Sequence, residues 1–201
     1  MNAPRHYQQE SDLYRIQDAH SRWMKETGDC NMVHKGDIRH RVFSGCRRFD
    51  ISKILHYWED DQGEIIAWVA LYPQHEHYDM SLAPYLRHTD FHSHVLDWIE
   101  PNLVALVEET QDKTPTHISC ETMRCDPQHQ ALLESRGYEY KSQDYCLTEQ
   151  SLDRDIPQAQ FPDGFYVRLA TVDDFENLAD VHNHSFRNQW AGETYGKVFT
   201  S

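Results

Sequence analysis

Residues 57–72 read Tyr57-Trp58-Glu59-Asp60-Asp61-Gln62-Gly63-Glu64-Ile65-Ile66-Ala67-Trp68-Val69-Ala70-Leu71-Tyr72, and this stretch decides the fold. An acidic turn closing on Gly63 separates two runs rich in β-formers, 54–59 and 64–72, which predicts a hairpin. In the second run both alternating faces are apolar: Ile66, Trp68 and Ala70 on one, Ile65, Ala67 and Val69 on the other. A strand apolar on both faces belongs inside a sheet with helices above and below it. Pro73 ends the run.

Working outward, residues 5–8 predict a short edge strand. Further strands are predicted over 77–83, up to Pro84, and over 116–122 and 138–147. Helices fill the intervals. Leu13, Ile16, His20, Trp23 and Met24 recur at helical spacing between a capping Ser11 and a terminating Gly28. A shorter helix is predicted over 37–43. In 91–109, Leu96, Ile99, Leu103 and Leu106 share a face, and Pro101 predicts a kink or a split at a cost of about 3 kcal/mol. Asp126 and Pro127 open another helix that Gly137 closes. The order defines an α/β (α+β) protein with a mixed, mostly antiparallel sheet flanked by helices.

After 147 the composition changes. Residues 148–164, with Pro157, Pro162 and Gly164 and several acids, read as a linker. Then the opening pattern returns: a short strand over 166–169, a capping-box spacing from Thr171 to Asp174, and a stripe of Phe175, Leu178, Ala179, His182 and Phe186. At a constant offset of 162, Asp12 aligns with Asp174, Leu13 with Phe175, Ile16 with Leu178, Asp18 with Asp180 and His20 with His182, which reads as an internal repeat. A segment this short does not ordinarily fold unaided. Either the chain is a fragment of a longer tandem protein, or this tail packs on the first unit or exchanges into a second copy, as a homodimer or segment swap through 163–201.

Charge and composition exclude several function classes. The formal charge of −14 argues against a nucleic-acid partner and against an anionic membrane surface. No apolar run approaches the roughly 18–20 residues of a membrane span, and no signal peptide is visible, so a cytoplasmic protein is expected. Cys30, Cys46, Cys120, Cys125 and Cys146 are odd in number and lack C-x-x-C spacing, which predicts reduced thiols. Among the 14 histidines, His75 and His77 flank Glu76, and His88, His92 and His94 cluster. His94 cannot share a helical face with the 88/92 pair, and H-E-x-x-H is absent, so no metal site is expected. The five tryptophans are read as core.

Three stretches, in this order, carry a family resemblance. Residues 57–70 are similar to the strand-two to strand-three hairpin of the GNAT superfamily of acyl-CoA-dependent N-acetyltransferases. Met80 to Arg87, with the 95–99 helix after it, resembles that family's fourth strand and acetyl-CoA loop, V-x-P-x-x-R-G-x-G-x-G/A. Asp126 to Tyr138 resembles its N-x-x-A-x-x-x-Y-x-x-x-G-F helix ending. Gly164 to Asp174 then looks like a GNAT opening, G-Y-x-I-R-x-A-T-x-x-D. The resemblance implies a GNAT-like domain over 1–147 with a degenerate acetyl-CoA loop, a linker over 148–164, and over 165–201 the strand–helix start of a second, incomplete unit.

It also implies acetyl transfer from acetyl-CoA to a small-molecule or peptide amine. The loop would hold the coenzyme pyrophosphate on backbone N–H groups at a helix N-terminus, where glycines allow close approach. The matching residues are Leu82, Arg87, His88, Thr89, Asp90 and His92. The motif's three glycine positions fall on His88, Asp90 and His92. Asp90 puts a carboxylate against a phosphate, and at an effective dielectric of about 20 like charges about 4 Å apart repel by about 4 kcal/mol. That opposes roughly a thousandfold of affinity. The family's acid tyrosine falls on Leu133, which transfers no proton. Tyr138 is a nearby phenol and Glu121 a candidate base by position; strand packing and a solvent-facing strand residue are the plainer readings of the two.

Three functions follow as expectations. The first is an N-acetyltransferase-family protein whose competent site is completed by a second unit or subunit. The second is a non-catalytic GNAT-like module for dimerisation or ligand binding. The third is a histidine-based metal or pH sensor.

Overall fold

The computed structural model describes residues 3–28, 33–45, 49–141, 150–187 and 189–199. In chain order the elements are β1 (Arg5–His6), α1 (Glu10–Thr27), α2 (Lys35–Gly45), α3 (Ile51–Ile54), β2 (Leu55–Glu59), β3 (Ile65–Tyr72), β4 (His77–Leu82), α4 (Asp90–Gln111), β5 (Ser119–Cys120), α5 (Pro127–Ser135), α6 (Phe175–Phe186) and α7 (Gly192–Phe199). The sheet order is β1-β2-β3-β4-β5; the first three pairings are antiparallel and β4–β5 is parallel. None of the helices among the described residues is long and apolar enough to cross a membrane.

The hairpin forms as its sequence predicts. Asp60 Oδ1 accepts from the amides of Gln62 and Glu64, both at 2.9 Å, and Gly63 takes the left-handed φ of +80° that closes the turn. Strand β3 is sealed on both sides. Trp68, Ala70 and Tyr72 pack with Leu13, Ile16 and Trp23 of α1 and Ile38 and Val42 of α2. Ala67, Val69 and Leu71 pack with Val95, Leu96, Ile99, Leu103 and Val107 of α4. The first two residues of β3 exchange faces relative to the simple alternation: Ile65 joins the Trp68 side and Ile66 packs on the α4 side. The cause is a bulge where Trp58 pairs with Ala67 but Glu59 with Ile65, which leaves Ile66 as the extra residue.

Pro101 neither splits nor ends α4. It lies on the exposed face, as does Asp97, whose carbonyl loses the proline's missing donor, so solvent satisfies that group. The strand expected over 116–122 contracts to Ser119–Cys120, because β5 pairs only with His77 and Tyr78 of β4. Of the strand expected over 138–147, residues 138–141 are in no strand, and 142–147 lie outside the described residues. Cys125 is disulfide-bonded, which corrects the expectation of reduced thiols; an odd count without C-x-x-C does not forbid a bridge between distant cysteines. Cys120 is free.

Every described residue from 150 to 171 is exposed and outside helix and strand, including the 166–169 segment read as a strand. The chain then folds again. Asp174 Oδ2 accepts from the Thr171 amide at 2.7 Å, just as Asp12 Oδ2 accepts from the Gln9 amide at 3.1 Å. Both pairs stand at the helix start and are related by the offset of 162. Helix α7 docks this tail on α2. The guanidinium of Arg39, 2% exposed, lies between the rings of Tyr14 and Phe43 at 5.3 and 5.4 Å and pairs with Glu10 at 2.5 Å. Its Nε donates to the carbonyl of Lys197 in the last turn of α7. His40 stacks on Trp190 with centroids 5.8 Å apart.

Arg39→Met keeps the apolar stem and removes the donors. Losing a buried charge-assisted bond of about 2 kcal/mol should raise amide exchange across α6 and α7 roughly thirtyfold while β2–β4 keep their protection. Unchanged tail exchange would show that Arg39 does not hold it.

Candidate functional site

Two features converge at the carboxyl end of β4. The first is a wedge. Ser119 and Cys120 pair with His77 and Tyr78, and among the described residues no strand continues that edge beside Asp79–Leu82. The second is a corner. After Leu82 the chain makes a 3-10 turn over Pro84–Leu86 and enters α4 at Asp90.

The corner holds the residues matched to the acetyl-CoA loop. Leu82 is a buried core side chain, paired in register with Ala67. His88 takes φ +64°, the left-handed conformation a glycine adopts without strain. Its amide points to His92 Nδ1 at 3.4 Å, and its Nε2 lies 3.4 Å from Asp126 Oδ1. Thr89 is the N-cap residue of α4, but its hydroxyl donates to the Leu86 carbonyl at 2.7 Å rather than capping the helix. Asp90 is exposed in the first turn, where a carboxylate complements the positive end of the helix dipole. Arg87 is half-buried, and burial lowers its pKa against the pull of Asp126.

The sequence marks Asp126 as a cap and as the start of the Asp126–Tyr138 stretch, but it does not single out His129. Asp126 Oδ1 does accept from the His129 amide at 3.0 Å. The His129 ring lies 4.8 Å from the ring of His92, and Nε2 of each imidazole is buried without a partner among the described residues. Burial is the main cause that lowers both pKa values, His92 to about 4, and repulsion from His129 and His88 adds to it. The pair is therefore neutral near pH 7. Among the described residues no three His, Cys, Asp or Glu side chains are grouped to hold a metal ion.

The candidate catalytic residues lie elsewhere, in one groove lined by Arg41, Glu100, Cys120, Glu121, Leu133 and Tyr138. Glu121 is half-exposed, 3.5 Å from Arg41. Arg41 is committed first to the fully buried Asp79, through contacts of 2.9 and 3.1 Å. Tyr72 donates to the same carboxylate at 2.9 Å and His77 lies 3.5 Å from it. Burial opposes the Asp79 charge, but His77, Arg41 and Tyr72 together outweigh it and hold the pKa below the usual value. Tyr138 accepts from the Tyr78 hydroxyl at 3.2 Å and donates to Glu100 at 3.3 Å. Arg136 clamps Glu100 with two bonds of 2.8 Å. Burial, above all, raises the Tyr138 pKa, so the phenol keeps its proton. Burial also pushes the Cys120 thiol up to about 11, which makes it a poor nucleophile near neutral pH. Leu133 is 5% exposed and packs in the α4-side core. The Asp79–Arg41 network had a sequence signal: an aspartate at a buried position of an apolar strand calls for a cation.

No family model and no curated protein sequence matches this chain. Among solved structures, a GCN5-related N-acetyltransferase from Sphaerobacter thermophilus is similar to it, with a TM-score of 0.53 at 13% sequence identity over 99% of this chain and 63% of that one. This chain thus spans less than two thirds of that protein's length. At this identity the likeness carries the fold, and the fold is GNAT-like.

The corner makes stability pH-dependent. In the unfolded chain His92 takes a proton near pH 6.5; in the fold it does so only near pH 4. Unfolding therefore takes up a proton between those values, and stability is lost as pH falls through that window. From pH 7 to pH 5 the loss due to His92 is about 2 kcal/mol. In urea titrations His92→Asn, whose Oδ1 can replace Nδ1, should remove that part of the pH dependence. An equally steep wild-type and variant profile would reject it.

Proposed function

We propose that this chain carries an N-acetyltransferase-like unit that does not bind acetyl-CoA strongly and lacks a complete acetyl-transfer site. It serves as a non-catalytic partner to a competent unit or subunit. The observation that carries this reading is at the corner. The His88 amide, one of those that would face a pyrophosphate, is turned to His92 Nδ1, and the Asp90 carboxylate stands at the positive end of α4. The helix terminus already has its anion. Because Asp90 is exposed, its repulsion of a phosphate is screened below the value expected for a buried pair.

The groove supports the same reading. Leu133 fills the acid position and has no proton to give. The Tyr138 phenol is bonded to Tyr78 and Glu100, and its raised pKa makes it a weak acid toward a departing thiolate. The wedge beside Asp79–Leu82 keeps a backbone edge that could bond an extended, amide-bearing ligand, so the unit retains the shape of a cofactor cleft without its anchoring charge.

Isothermal titration tests this reading. Acetyl-CoA at about 100 µM should give no saturable heat with the wild-type chain, and no free thiol should appear with simple amines. Asp90→Gly combined with His88→Gly should tighten binding at least tenfold by restoring donors and removing the resident anion, a gain of about 1.4 kcal/mol. Micromolar binding by the wild-type chain would overturn the reading.

A further inference from the structure

Ser119 stands opposite His77 in the parallel ladder of β5 on β4, and Asp79 follows His77 on the same face of β4. The three side chains form a line of contacts. Ser119 Oγ is 3.1 Å from His77 Nδ1, and His77 Nε2 is 3.5 Å from Asp79 Oδ1. The imidazole between them is held in place by Tyr72, whose ring stacks on it with centroids 6.1 Å and planes 20° apart. Asp79 is fully buried, and Arg41 and Tyr72 keep it fixed and ionised. An ionised carboxylate only accepts, so it selects the tautomer of His77 that carries its proton on Nε2. Nδ1 is then left with a lone pair toward the serine hydroxyl. The other neighbour of that hydroxyl is the Glu76 carbonyl at 3.3 Å, which already takes the Ser119 amide at 2.8 Å. Ser119, His77 and Arg41 all line the groove. A serine opposite a histidine is by itself an ordinary cross-strand pair. The buried carboxylate behind the ring and the groove in front of the hydroxyl turn this pair into a nucleophile, a base and a group that orients the base.

We propose that Ser119 is a nucleophile that hydrolyses carboxylic esters in this groove, with His77 as its base and Asp79 as the residue that positions His77. Ser119 Oγ bonds to the ester carbonyl carbon while His77 Nδ1 takes the hydroxyl proton. The bond from that carbon to the alcohol oxygen then breaks, and the leaving oxygen takes the proton from Nδ1. Water repeats the sequence on the acyl-serine. Its oxygen bonds to the acyl carbon as His77 takes a proton, the bond to Oγ breaks, and Oγ recovers the proton. Ester and water become acid and alcohol, with no redox partner. Arg41 holds Glu121 only at 3.5 Å, so its guanidinium is a groove cation able to turn toward a carbonyl oxygen that gains charge. Arg41 also neutralises part of the Asp79 charge, so the imidazolium is stabilised less than by a free carboxylate, and slow turnover is expected. The ring is used in the opposite sense to the familiar serine triad, Nδ1 serving the nucleophile; the chemistry needs only that the two partners occupy different nitrogens. This reaction uses neither the α4 corner nor acetyl-CoA, so it stands or falls separately from the loss of acetyl transfer.

Treatment of the full chain with an alkyl fluorophosphonate is the first measurement; its phosphorus bonds to a nucleophilic Oγ as fluoride leaves. Peptide mass mapping is expected to place the label on Ser119. His77→Ala should slow labelling by roughly a hundredfold, the share of a general base. Added imidazole should restore part of that rate, which a packing defect would not permit. Hydrolysis of p-nitrophenyl acetate should be steady and should fall by about tenfold or more in Ser119→Ala, the remaining imidazoles supplying the background. Nitrogen NMR of the neutral His77 ring should find its proton on Nε2. Asp79→Asn, whose amide can donate to Nε2, should move that proton to Nδ1 and slow labelling, a change of tautomer that a merely structural aspartate would not cause. Failure to label Ser119 would overturn the inference. So would labelling indifferent to His77→Ala, ester hydrolysis unchanged in Ser119→Ala, or a wild-type His77 proton on Nδ1.

Discussion

Strand β3 is covered by helices on both faces, and the rest of the molecule is arranged around that constraint. Five of its eight residues are no more than 1% exposed. Burying each large side chain contributes about 1.5–3 kcal/mol, but only if one helical layer closes on each side. Helices α1 and α2 form one layer and α4 the other. With β3 fixed, β4 is fixed beside it, and the end of β4 must turn directly into α4 to cover the second face. The corner at His88 is thus required by the core before any question of a ligand arises.

Helix α2 shows how one packing element serves two polar tasks. Ile38 and Val42 point at the sheet. Arg41 reaches the buried Asp79 at the wedge, and Arg39 takes the carbonyl end of α7. Buried ion pairs contribute little net stability, because desolvation offsets attraction, but breaking one is costly. Their effect here is to fix position: Arg41 sets the angle of α2 over β4, and Arg39 fixes where the tail sits on α2. The wedge and the tail are consequently coupled through a single helix of 11 residues.

What the sequence makes legible follows the range of the interaction. The hairpin, the capped starts of α5 and α6 and the stripe of α4 are local, and strand or helix periodicity reveals them. The bulge at Ile66, the contraction of the 116–122 strand and the harmlessness of Pro101 each depend on a neighbour distant in sequence. Arg41 meets Asp79 across 38 residues and Arg39 meets Lys197 across 158, separations that no periodicity encodes. The loop residues were legible as a set, since their spacing survives. Their mutual bonds were not, because His129 comes from α5, on the far side of β5 in the chain.

The corner is a helix start whose own side chains answer its unsatisfied groups. A helix N-terminus leaves amides unsatisfied and a positive potential, and either a bound anion or the protein's own groups must answer both. Here Asp90 answers the potential, His92 takes the His88 amide, and the Thr89 hydroxyl closes on Leu86. The left-handed turn at His88 survives although its side chain makes that conformation cost about 1–2 kcal/mol. That strain is tolerated because α4 must still start there to cover β3. The backbone shape is therefore held by the core, and the side chains at the helix start answer its amide and its potential.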